Sequence, residues 1–102
     1  MIELIKSNSN ALNAICAKHF VAELYLFGSA LTGVFSADSD LDFAVLFSES
    51  LQPLEHGDAF FGLKDDLETL FNRPIDLISY RALKNPIFKS ELDKTKVSLY
   101  AA

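Results

Sequence analysis

The chain has 102 residues, half of them hydrophobic and 23% charged, which is the size and composition of one compact domain and excludes a disordered tail. A formal charge of −5 argues against a general binder of nucleic acid or of anionic membrane. No apolar run approaches the roughly 18 residues of a membrane span, and Met1-Ile-Glu-Leu-Ile-Lys6 does not read as a signal peptide. Cys16 has no partner for an internal disulfide, so a reduced, cytoplasmic setting is expected.

In chain order, Leu12, Ile15, Cys16, His19 and Phe20 recur at helical spacing. Residues up to about His19 therefore read as an amphipathic helix, which the polar run Ser7 to Asn10 can interrupt. Val21 to Phe27 is rich in strand formers and stops at Gly28. Thr32 to Ser39 is turn-like, and Leu41 to Phe47 is almost continuously apolar, as a strand buried on both faces would be. Ser48 to His56 holds Pro53 and reads as a loop. Phe60, Leu63, Leu67, Leu70 and Phe71 then mark a second helix of about four turns, stopped by Asn72 and Pro74. Ile75 to Ser79 is a short strand. Asn85-Pro86 offers a cap and a first-turn proline for a helix over about Pro86 to Lys94, and Val97 to Tyr100 can add an edge strand. This order predicts an α/β (α+β) domain over 1–102, a small mixed β-sheet flanked by about three helices.

Charge is segregated. Nine acids face Lys64 alone between Ser36 and Glu68, whereas six bases face three acids from Leu70 onward. Within the acidic part, Asp40 and Asp42 stand at i and i+2 at the mouth of a strand, on one face and about 6.6 Å apart along the chain. Two carboxylates beside a core are costly unless a cation compensates, and oxygen ligands suit a hard divalent ion, most naturally Mg²⁺. Asp38, Asp40, Asp42 and Glu49 also match positions one, three, five and twelve of an EF-hand loop, but Phe43 stands where that loop turns on glycine. Asp76, between Ile75 and Leu77, is a third strand carboxylate that meets the first pair if its strand lies beside theirs. Gly28-Ser29 can let a backbone approach phosphate closely, although no Gly-Lys-Ser/Thr follows as in a Walker A loop. His19 and His56 lack a ligand-spaced partner, and Cys16 sits on an apolar stripe.

Gly28-Ser29, Gly33, Ser39-Asp40-Leu41-Asp42-Phe43-Ala44-Val45 and the later Asp76 together resemble the nucleotidyltransferase signature of the DNA polymerase beta superfamily, and within it the minimal nucleotidyltransferase (MNT) group. The resemblance implies that Gly28, Ser29 and Ser39 bind the nucleotide. It makes Asp40, Asp42 and Asp76 the catalytic, metal-binding carboxylates, with two Mg²⁺ ions and ATP as substrate. The family reaction is in-line attack of an acceptor hydroxyl on the α-phosphate, with release of pyrophosphate. Where some members read Gly-Ser-Arg-Ala-Arg-Gly, this chain reads Gly28-Ser-Ala-Leu-Thr-Gly33, leaving Arg73, Arg81 or Lys84 as candidate substitutes. Stand-alone members of the group commonly pair with HEPN-domain toxins. The resemblance therefore implies transfer of AMP to a hydroxyl of such a partner protein, as its antitoxin. A catalytically silent binding-only antitoxin or subunit, and nucleotidyl transfer to a small molecule, are the alternatives.

Overall fold

The computed structural model describes residues 2–28 and 40–102. Helices α1 (Ile2–Ser7) and α2 (Ser9–Lys18) precede strand β1 (Val21–Phe27). Strand β2 (Leu41–Phe47) leads through a 3-10 turn to helix α3 (His56–Phe71), then strand β3 (Ile75–Ser79), helix α4 (Pro86–Thr95) and strand β4 (Val97–Ala101). The sheet order is β3-β2-β1-β4. Among the described strands only β2 and β3 run parallel, with α3 as their crossover.

The helix boundaries follow local chemistry. Asn8 breaks the first helical stretch between α1 and α2, inside the polar run. Asn72 ends α3 at φ 52°, ψ 47°, the left-handed cap that asparagine tolerates. The Asn85 side chain accepts the Ile87 and Phe88 N–H groups at 3.0 and 3.2 Å, capping α4 beside Pro86. α3 starts at His56, a turn earlier than its apolar stripe, because its first turn carries polar and small residues that the stripe does not mark.

Alternation along the strands sends side chains to two unequal cores. Leu24, Leu26, Leu41, Phe43, Val45, Ile75 and Leu77 join Leu12 and Cys16 of α2 and Leu63, Leu67 and Phe71 of α3 in the main core. Tyr25 and Ala44 face the other way, against Leu92 of α4, with Phe27, Ile78, Tyr80 and Leu83 at the margin. Leu92 is the one buried residue of α4. Two further contacts tie the main layer together. Asp66 of α3 accepts from His19 at 2.6 Å and from Lys18 at 3.1 Å, and Gly62 leaves room for the His19 ring. Phe20, just past α2, takes a left-handed φ of 61°. Among the described residues, no helix is long and apolar enough to cross a membrane.

Candidate active site

The chemistry-bearing residues collect at one end of the α4 side of the sheet. Asp42 has the parity of Ala44, and Asp76 that of Ile78, so both carboxylates leave the sheet away from the main core. Asp42 is the direct register partner of Asp76 across the parallel β2–β3 pair and of Phe27 across the antiparallel β1–β2 pair. Asp40 lies just ahead of β2 with the same parity and is exposed. The order of the row is set from the main-core side. The Leu41 N–H donates to the Pro74 carbonyl at 3.2 Å, and the Ile75 N–H donates to Glu68 of α3 at 3.2 Å, so β2 and β3 start level.

Gly28 closes β1 at φ +79°, a conformation that costs an L side chain about 1–2 kcal/mol. A Cβ there would collide with the Asp42 carboxylate and stand 3.0 Å from its Cγ. Glycine thus serves twice, allowing the turn and leaving room for the Asp42 carboxylate itself. Ser29 and Ser39, assigned to nucleotide binding by the resemblance, lie outside the described residues, as does Gly33.

Like charges level with each other on paired strands repel, and a cation between them would offset that repulsion. Among the described residues, no three His, Cys, Asp or Glu side chains are gathered closely enough to hold a metal. The chemistry of the donors nevertheless fits a hard divalent cation. Asp40, Asp42 and Asp76 offer only oxygens, share one face, and two of them are level in register.

The candidate phosphate contacts are dispersed. Arg73 is half-buried at the head of β3, with its Nε donating to the Phe71 carbonyl at 3.4 Å. Arg81 reaches Glu49 at 3.5 Å, and Lys84 is exposed before α4. Cys16 is buried in the main core, and burial pushes its thiol up to about 12, which removes it as a nucleophile.

A second polar cluster on the α4 side has no counterpart in the sequence reading, because its members are scattered from β1 to α4. Tyr80 donates to Asp93 at 2.6 Å, Lys96 donates to the same oxygen at 2.9 Å, and the Lys96 ammonium lies 5.0 Å from the Tyr25 ring centre. Tyr25 donates to Glu23, and burial followed by that carboxylate raises its phenol to about 12. The Asp93 hydrogen bond, then burial, raises Tyr80 as well. Both phenols therefore stay protonated at neutral pH, and the cluster braces α4 rather than exchanging protons.

A family model described as Polymerase beta, Nucleotidyltransferase, matches residues 10–102. "Putative protein adenylyltransferase MJ0128" of Methanocaldococcus jannaschii is 32% identical over 77 residues, covering 76% of this chain and 74% of that one. A solved "putative minimal nucleotidyltransferase" superposes with a TM-score of 0.69 at 28% identity, covering 93% of this chain and 92% of its own. A toxin-antitoxin structure with AMP-PNP gives a TM-score of 0.70 at 23% identity, covering 93% of this chain and 74% of that one. The structure of a tri-AMPylated Shewanella oneidensis HEPN toxin in complex with MNT antitoxin gives 0.65 at 20% identity, covering 96% of this chain and 73% of that one. The last two likenesses establish the shared fold.

Proposed function

This chain belongs to the polymerase beta nucleotidyltransferase family, and from that premise we propose that residues 1–102 form one minimal nucleotidyltransferase domain, cytoplasmic, that moves AMP from ATP to a hydroxyl of a HEPN-type partner protein. The observation that carries the reading is the level row of Asp42 and Asp76 beside the Gly28 turn. The adenylyltransferase name of the M. jannaschii relative and the AMPylated toxin in the S. oneidensis complex support the choice of acceptor.

In this reading Asp40, Asp42 and Asp76 hold Mg²⁺, which supplies charge neutralisation of the phosphates when bound. The Gly28 turn, lacking a Cβ, seats the Asp42 carboxylate against the backbone where the triphosphate arrives, and Ser29 and Ser39 add hydroxyl contacts to it. Asp76, exposed on the edge strand, takes the proton of the acceptor hydroxyl. The acceptor oxygen bonds to the α-phosphorus, the bond from that phosphorus to the bridging oxygen breaks, and pyrophosphate leaves. An exposed edge strand suits a large acceptor, because a protein hydroxyl can reach Asp76 without entering a closed cavity.

The test is the intact mass of the co-expressed partner. Wild-type chain is expected to add one or more AMP units, and Asp40→Asn/Asp42→Asn to add none while still forming the complex. No added mass in either case, with both complexes stable, would replace this reading by a binding-only antitoxin.

A further inference from the structure

Phe27 is the third member of the Asp42–Asp76 row, one residue before the Gly28 turn. Its ring meets Phe88 of α4 with centroids 6.2 Å apart and planes at 84°. A right-angled pair uses one ring face and one ring edge, and leaves the other faces available. Phe88 remains 42% exposed even with Phe27 against it. Phe88 and Leu92 are one helical turn apart, and Leu92 is buried over Tyr25 and Ala44. That anchor sets α4 so that Phe88 packs on Phe27, the strand neighbour of Asp42. A flat, partly exposed apolar ring, braced by a second ring that neighbours the carboxylate row, is what a nucleobase needs once its phosphates are held at that row.

We infer that Phe88, packed at a right angle to Phe27, is the platform on which the base of the bound nucleoside triphosphate stacks. This rests on the nucleotidyltransferase reading above, and it adds where affinity for the base, as distinct from the phosphates, arises. Aromatic stacking accepts any base face, so the platform supplies affinity and positions the ribose, and purines with their larger face gain most.

The experiment measures binding of ATP and of inorganic tripolyphosphate, each with Mg²⁺, to the full chain by calorimetry. Phe88→Ala is expected to weaken ATP on the order of tenfold and to leave tripolyphosphate unchanged, whereas Phe88→Trp keeps ATP affinity. Ile87→Ala, the exposed neighbour on the same turn, is expected to leave both unchanged. Thermal melts confirm that the partly exposed substitutions leave the domain folded. ATP binding by Phe88→Ala within twofold of wild type, an equal loss of both ligands, or an equal loss in Ile87→Ala overturns the platform. If the wild-type chain binds neither ligand, the nucleotide reading falls and the platform with it; if it binds tripolyphosphate as tightly as ATP, only the platform falls.

Discussion

Replacing Gly28 by alanine probes the turn and the carboxylate row with one methyl group. Left-handed backbone at φ +79° costs alanine about 1–2 kcal/mol. The new Cβ also has to displace the Asp42 carboxylate, and driving that side chain off its rotamer adds about 0.5–1.5 kcal/mol. The stiffer unfolded chain of the variant offsets about 0.4–1 kcal/mol, so the net loss is about 2 kcal/mol. For a domain of this size that lowers Tm by about 10 °C. Asp42 is also turned out of line with Asp76, so nucleotidyl transfer is expected to fall at least about tenfold. Urea denaturation and a melt measure the first effect, and transfer of labelled AMP the second. Gly57→Ala is the control, because nothing lies within 4 Å of its Cβ. It is expected to be neutral or slightly stabilising in the first turn of α3. A Gly28→Ala protein that melts within about 2 °C of wild type and keeps its activity would refute the reasoning.

Two other expectations concern stability. Asn85→Ala removes the acceptor for the Ile87 and Phe88 N–H groups and should cost about 1 kcal/mol in urea denaturation, with Asn85→Asp close to wild type; equal midpoints for Ala and Asn would refute it. The His19 hydrogen bond, and then that of Lys18, hold Asp66 below its ordinary carboxylate value of 3.8. The folded protein therefore binds that proton more weakly than the unfolded chain. The resulting stabilisation is complete above the unfolded value and is lost as pH falls through the lower folded one. Asp66→Asn should be less stable than wild type by about 1 kcal/mol at neutral pH, with the gap closing below about pH 4. A gap that persists unchanged to about pH 2 would show that the charge of Asp66 is not what stabilises.

Much of the fold was legible because its signals are local. β1, β2 and β3 coincide with the three apolar runs Val21–Phe27, Leu41–Phe47 and Ile75–Ser79 read as strands, and Asn72 and Asn85-Pro86 mark their helix ends through backbone chemistry. The helix preceding β1 is broken at Asn8, within the run where an interruption is expected, which gives four α-helices among the described residues. The strand order and the two-faced partition were not legible, since they depend on pairing between residues dozens of positions apart. The candidate carboxylates were found by motif, but the level register of Asp42 with Asp76 follows from the parallel β2–β3 pairing alone. For the same reason the His19–Asp66 contact and the Tyr25–Tyr80–Asp93–Lys96 cluster left no trace in local spacing.

The connection through α4 has a mechanical meaning. It leaves the sheet after β3, one outer strand, and returns as β4, the other. Ten helical residues reach about 15 Å, and the three gaps between four strands add up to about 14 Å. Folded, α4 is a strap across the two rims of the sheet, joined to them by residues 80–85 and by Lys96. Melted, the same ten residues could extend to about 33 Å and leave slack between those rims. With Leu92 its only buried side chain, the strap is cheaper to release than anything in the main core. The edge carrying Asp76 can then gain freedom to move while the α2–α3 layer stays packed.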